Sequence, residues 1–247
     1  MQVDLNCDMG EGYGNDAELM KYISSANIAC GYHAGDENTM RTTVECAIKN
    51  NVAIGAHPAF ADRENFGRKN MILSPGEVYD LTLKQITRLN DIVSKLDARL
   101  HHVKPHGALY NMAAKDIIMA DAIAKAIADF DGTLFFYGLA NSEMAAAARK
   151  YSIKFCAEVF ADRTYEPDGS LTPRTKPNAL IEDIAESVSA ALRMVEEQQI
   201  ICNDKSRIAV KADTICLHGD GSHALDFART ISGAFQQKNI QVKAPTN

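Results

Sequence analysis

Val3-Asp4-Leu5-Asn6-Cys7-Asp8-Met9-Gly10-Glu11-Gly12-Tyr13-Gly14 opens the chain with a strand that runs straight into a glycine-rich turn. Strand side chains alternate between faces, so Val3, Leu5 and Cys7 share one side and Asp4, Asn6 and Asp8 the other. One amphipathic strand of this kind is common at a protein surface. The pattern bears on fold only if later strands repeat it.

Five later stretches do so. Residues 27–33 place Asn27, Ala29, Gly31 and His33 on one side, and residues 52–58 place Ala53, Gly55 and His57. Residues 100–106 set His102, Lys104 and His106 opposite Val103 and Pro105. Residues 154–160 set Cys156, Glu158 and Phe160 against Phe155, Ala157 and Val159, and residues 213–218 set Thr214, Cys216 and His218 against Ile215 and Leu217. One face of each run can pack on helices. The other is small or polar and carries ionisable groups.

Helical stretches separate these runs. Ser74-Pro75-Gly76-Glu77 supplies a capping hydroxyl, a proline suited to the first helical position and the glutamate of a capping box. It opens a helix with Val78, Leu81, Ile86, Leu89, Ile92, Val93 and Leu96 as its core stripe. Further helices are predicted at 16–25, 38–50, 116–130, 142–151, from an Asn178 cap to about 199, and at 222–238. Residues 133–138 read as another strand, 161–177 as a long loop, and 240–243 as a short closing strand or tail. Strand and helix alternate, which implies parallel strands with right-handed crossovers. Seven or eight such units in one domain, residues 1–247, fit an α/β barrel better than an open sheet. A dinucleotide fold would need G-x-G-x-x-G after the first strand. Asn15 stands where the third glycine belongs, and Glu11 would repel a pyrophosphate. The glycines read instead as room for a ligand near the backbone.

The 247 residues are 46% hydrophobic and 23% charged, enough for a sizeable core. A formal net charge of -6 argues against nucleic acid or an anionic membrane as partner. No apolar run is long enough to span a membrane. The first strand begins almost at Met1, with no basic and apolar leader before it, which predicts no signal peptide. Six cysteines without C-x-x-C spacing read as reduced thiols in a cytoplasmic protein.

If the polar faces line one barrel, they converge at its C-terminal mouth, where such enzymes build active sites. Buried charge costs several kcal/mol unless paired, so a ring of it needs a reason. A single histidine at a strand end is more often structural than functional; repetition on several strands carries the argument. The candidate catalytic residues are Asp8, Glu11, His57, Lys104 and His106. Asn6, His33, Arg63, Arg68, Glu158, Arg174 and His218 are candidate substrate-binding residues. Asp36 and Asp220 lie near them in sequence. Asp4 reads as structural. Phe60-Ala61-Asp62-Arg63 and Phe160-Ala161-Asp162-Arg163 echo one another after two strands. Arginine grips carboxylate or phosphate bidentately, so an anionic substrate is expected. Asp8, His33 and His57 are chemically suited to Zn²⁺ or another divalent ion, although no H-x-x-x-H or H-E-x-x-H spacing supports one. There is no G-x-S-x-G elbow and no visibly activated cysteine. General acid–base chemistry on water is the reading that remains.

Six motifs then act together: residues 5–14 (LNCDMGEGYG), 26–36 (ANIACGYHAGD), 55–68 (GAHPAFADRENFGR), 103–111 (VKPHGALYN), 158–174 (EVFADRTYEPDGSLTPR) and 215–220 (ICLHGD). Their order and content resemble the LamB/YcsF family over nearly the whole chain. The resemblance implies a distorted (βα) barrel related to the polysaccharide deacetylases. It also implies the activity of an ATP-dependent 5-oxoprolinase, opening the lactam of 5-oxo-L-proline to L-glutamate with partner subunits B and C. By motif position, Asp8, His33, His57, Lys104 and His106 would line the pocket, with Glu158 and Arg174. The chain has no G-x-x-x-x-G-K-[ST], so ATP is assigned to a partner or a shared interface. Two other readings stay open: a metal-dependent amidase or deacetylase acting on a sugar or small amide, and a non-catalytic lactam carrier. Self-association is left open too.

Overall fold

Parallel strands cannot be joined by tight turns, so each must be followed by a crossover. The computed structural model, which describes residues 1–217 and 224–246, follows that rule from β1 (Gln2–Met9) onward. After α1 (Asp16–Leu19) come β2 (Ser25–Ala29), α2 (Glu37–Asn50), β3 (Ala53–His57), α3 (Pro75–Lys95) and β4 (His102–Val103). Then follow α4 (Gly107–Ala113), α5 (Ile117–Asp131), β5 (Phe135–Leu139), α6 (Glu143–Lys150) and β6 (Lys154–Phe160). The chain ends with α7 (Ile184–Glu196), β7 (Gln199–Ile201), β8 (Arg207–Ala209), β9 (Thr214–Leu217), α8 (Ala224–Gln237) and β10 (Gln241–Val242).

Among the described residues, seven parallel strands close a ring: β1, β2, β3, β4, β5, β6 and β9, with β9 returning to β1. Asp4 to Cys7 pair with Thr214 to Leu217 on one side of β1, while Asn6 to Met9 pair with Ser25 to Ile28 on the other. β10 joins β1 lower down, at Gln2 and Val3. The barrel is therefore distorted, as the family resemblance implies, and stops at seven strands. β4 is regular for two residues only, but Lys104 and His106 still donate their backbone N–H groups to Ala56 and Pro58. The alternation of side chains thus continues past the strand's formal end.

The two faces divide as the pattern demands. Val3, Leu5, Cys7, Met9, Ile28, Val103, Val159 and Ile215 join one large core with the helices. Inside the ring, Phe135, Tyr137 and Cys156 form a small separate cluster. Asn6, Asp8, Asn27, His102, Lys104, Glu158 and Thr214 are buried on the same inner side. Asp4 accepts from the hydroxyls of Ser24, Ser25 and Thr214, consistent with a structural role.

Four expectations are corrected. The helix at 16–25 is a single turn, Asp16–Leu19, because the chain must already enter β2 at Ser25. Asn178 does not cap α7: it sits at φ 58°, and Asp183 caps the helix by accepting from Glu186 N. A short helix, α4, follows His106 directly and was not predicted, since GALYNMA is too brief to show a period. β7 and β8 form an antiparallel hairpin that interrupts the β/α alternation. All six cysteines are free. No helix among the described residues is long and apolar enough to cross a membrane.

The capping box of α3 is present as the sequence predicts: Ser74 accepts from Glu77 N, and Glu77 accepts from Ser74 N. Ser74→Ala is expected to lower stability by about 1 kcal/mol. A urea midpoint shift with an unchanged slope would show it; an unchanged midpoint would mean the first turn does not need its cap.

Candidate active site at the barrel mouth

Lys104 is the centre of the inner face. Its ammonium lies 2.9 Å from Asp8 Oδ1, 3.0 Å from Glu158 Oε1, 3.2 Å from Asn6 Oδ1 and 2.9 Å from Cys216 Sγ. The side chain is 2% exposed. Burial opposes its charge, but Asp8 and the other anionic partners more than offset this and hold the lysine well above its ordinary range. It is a fixed cation at neutral pH. Burial pushes the Cys216 thiol up, against the pull of that ammonium, so Cys216 is no activated nucleophile.

The carboxylates are held from below. Asn27 Nδ2 donates to Asn6 Oδ1 and Asp8 Oδ1, and Asn6 Nδ2 donates to Glu158 Oε1 and Thr214 Oγ1. His102 Nε2 lies 2.8 Å from Asn27 Oδ1, and its ring stacks on Tyr137 with centroids 4.0 Å apart. Burial, with neighbouring positive groups, keeps His102 neutral by pushing it well below the histidine range.

A second cluster adjoins the first. His57 Nδ1 lies 2.7 Å from Lys104 O, and His106 Nε2 lies 2.9 Å from Phe66 O. Carbonyl oxygens only accept, so both ring nitrogens carry hydrogens. The opposite nitrogens, His57 Nε2 and His106 Nδ1, lie 2.9 Å apart. Asp8 Oδ2 is 3.3 Å from His57 Nε2. Glu11 Oε1 is 3.0 Å from His33 Nε2 and 3.6 Å from His106 Nδ1. His33 and His106 stack at 3.8 Å, with Phe66 edge-on to both. Burial leads in pushing His33 and His106 well below the usual range, and neighbouring imidazoles add to it. The convergent group is Glu11, His33, His57 and His106, with Asp8 beside it rather than in it.

A cavity of about 950 Å³ opens over these clusters. Asp8, His57, Lys104 and His106 line it together with Arg68, Tyr110, Arg163, Thr172 and Arg174. Arg163 was not singled out from the sequence, although its Asp-Arg doublet was. It is 4% exposed and donates to Ala179 O and Thr172 O. Burial, and then the charge of Arg174, pull it down to about 10. Two like-charged guanidiniums thus line the same cavity, and guanidinium is the side chain that pairs with carboxylate or phosphate in a bidentate fork. Arg63, the matching residue of the other doublet, does not line the cavity; it donates to Gly31 O and Gly35 O and so ties down the loop after β2. Arg68 lies over Phe66 at 4.8 Å. Tyr110 was also missed. Burial, and then the charge of Glu158, push its phenol well above the ordinary range. Its hydroxyl and Glu158 Oε2 are both buried, and by hydrogen-bond geometry neither has a partner among the described residues.

His33 reaches its place from the loop after β2, not from the strand. Gly10, Gly12 and Gly14 do not line the cavity; their φ angles of 71°, 94° and 77° explain the glycines by the turn itself. That corrects their reading as room for a ligand. His218 and Asp220 lie outside the described residues.

The geometry can be set beside known proteins. The LamB/YcsF family model matches residues 3–247. A protein of Oceanobacillus iheyensis, named as the A subunit of 5-oxoprolinase, is 52% identical over 247 residues, covering 98% of this chain and 96% of its own. One of the same name from Tolumonas auensis is 49% identical, covering 98% and 99%. The crystal structure of a lactam utilization protein from Thermus thermophilus superposes with a TM-score of 0.93 at 41% identity, covering 99% of this chain and 100% of that one. With a match of this length and these relatives, the chain belongs to the LamB/YcsF family.

Proposed function

We propose that this chain is the lactam-opening component of an ATP-dependent 5-oxoprolinase, converting 5-oxo-L-proline to L-glutamate in a complex with subunits B and C. The observation that carries this reading is one cavity lined by the fixed Lys104 cation, Asp8, Arg163 and Arg174. A small anionic lactam needs both. The names of the relatives point the same way.

A five-membered lactam is an unreactive amide. Phosphorylation of its oxygen by ATP, held by a partner or at a shared interface, makes the ring carbon electrophilic. Water then bonds to that carbon while Asp8 takes its proton. Lys104 stabilises the negative charge that develops. The carbon–nitrogen bond breaks, the nitrogen takes a proton, and the γ-glutamyl phosphate left behind is hydrolysed by a second water. Arg163 and Arg174 hold the substrate carboxylate throughout. The Tyr110 hydroxyl, on a residue that lines the cavity, supplies a further polar contact.

The test is reconstitution with purified B and C, following glutamate and ADP together. Loss of one charged hydrogen-bonding partner is worth about 1.5–3 kcal/mol, so Arg174→Ala should raise KM for 5-oxoproline about 10–100-fold, with kcat much less affected. Asp8→Ala should remove turnover. A complex that keeps its turnover with Asp8→Ala and Lys104→Ala would make this chain a carrier instead.

A further inference from the structure

The contact between His57 Nε2 and His106 Nδ1 is electrostatically wrong for a metal-free site. Each ring has its other nitrogen committed as a donor to a backbone carbonyl, Lys104 O for His57 and Phe66 O for His106. In neutral imidazoles the facing atoms are therefore both lone pairs, and they stand 2.9 Å apart. Their other close neighbours are acceptors too: Asp8 Oδ2 at 3.3 Å from His57, and Glu11 Oε1 at 3.6 Å from His106. Acceptors crowd together like this around a positive charge.

That charge is either a proton or a metal ion. The arrangement suits a metal. The four donor atoms of Glu11, His33, His57 and His106 all lie within 4.8 Å of one another. Three of their separations are 2.9, 3.0 and 3.6 Å. Bonds of about 2.0–2.1 Å to a tetrahedral Zn²⁺ place its ligand atoms about 3.3–3.4 Å apart. The carbonyl bonds behind His57 and His106 are the outer contacts that orient metal-bound histidines and set their tautomers. Among the described residues His33 Nδ1 is buried without a hydrogen-bond partner, so it can carry the ring hydrogen once Nε2 exchanges its contact with Glu11 for a metal ion.

We propose that His33, His57, His106 and Glu11 form a divalent metal site, with Zn²⁺ the ion best matched to three imidazoles and a carboxylate. Asp8 stands next to it and is bound to Lys104 rather than placed among the ligands. His57 and His106 line the cavity, so the site borders it. A divalent ion there would supply Lewis acidity beside the scissile amide. The proposal rests on donor geometry, not on the identity of the lactam, and it is tested without turnover.

Tag-free protein is stripped with chelator, checked by circular dichroism, loaded with Zn²⁺ and desalted for metal analysis. Calorimetry with Zn²⁺ and visible spectra with Co²⁺ complete the measurement. One ion per chain is expected, with Co²⁺ bands showing nitrogen ligation. His106→Gln and Glu11→Gln should each weaken Zn²⁺ binding by about 100-fold or more, beyond the effect of removing an outer contact. Arg174→Ala should bind Zn²⁺ as the parent does even where it no longer holds 5-oxoproline, so failure here and failure of the lactam reading are separable. Folded wild-type protein that takes up no stoichiometric Zn²⁺ would overturn the proposal. So would uptake that survives the His57→Gln, His106→Gln double substitution.

Discussion

Lys104→Met is expected to lower turnover by about 10²–10³-fold and to destabilise the protein by about 3–5 kcal/mol at neutral pH, the usual consequence of removing one partner from a buried ionic group. The methylene stem is replaced almost in shape, so the loss is electrostatic rather than a cavity. Asp8 and Glu158 each lie about 3 Å from the same ammonium, and both are buried. Without it, two carboxylates face one another in a site that water does not reach freely. Burial and like charge both raise carboxyl pKa values, so in the variant at least one group binds its proton more tightly folded than unfolded. The sign follows: a group with a raised folded pKa stabilises the fold below its unfolded value and loses that contribution as pH climbs through the folded one. The gap between variant and parent should therefore be widest near neutrality and narrow on acidification. Urea midpoints at several pH values measure it. A gap that does not change with pH would mean that the carboxylates are solvated and that Lys104 is not their neutralising charge. On turnover, the loss of a fixed cation facing developing charge is worth about 10²–10³ in kcat.

The residues around Lys104 were legible in the sequence because they obey one rule. Asn6, Asp8, Asn27, Glu158, Thr214 and Cys216 lie on alternating positions of strands, and a strand fixes its side-chain directions locally. Lys104 and His106 follow it even beyond the regular part of β4, since backbone bonds to β3 carry the pleat onward. Residues held by loops were not legible in the same way. The doublets Asp62-Arg63 and Asp162-Arg163 look alike, yet Arg163 faces the cavity and Arg63 ties two glycine carbonyls. Nothing local separates them; the difference lies in which distant backbone each guanidinium meets. His33 and Glu11 pair across two loops, a contact set by the closing of the barrel. Ring closure by seven strands falls within the seven or eight units read from the sequence, whereas β7 and β8, which pair with each other, were not read as strands.

Gly55→Ala is the second large effect expected, and it tests whether the floor of the site is as tightly specified as its walls. A Cβ on Gly55 would stand 2.0 Å from His102 Nε2 and 2.3 Å from its Cδ2. His102 cannot yield easily. It is fully buried, stacked on Tyr137, within hydrogen-bonding reach of His101 Nδ1, and joined to Asn27 through Nε2. Overpacking a core costs about 1–3 kcal/mol, and a buried polar group left unpaired costs about 1–3 kcal/mol more. A loss of about 2–6 kcal/mol is therefore expected from one methyl group. The damage should also travel. Pushing His102 away removes the partner of Asn27 Oδ1, and the Asn27 amide is what positions Asn6 and Asp8 against Lys104. Turnover by the reconstituted complex should fall even at temperatures where the variant is folded. A double-mutant cycle with His102→Ala separates this route from a general loss of packing. If the clash is the cause, the double variant is less destabilised than the sum of the two single ones, because the alanine at 55 then finds space. Additive losses would show instead that the strand backbone, not the histidine, requires glycine at this position.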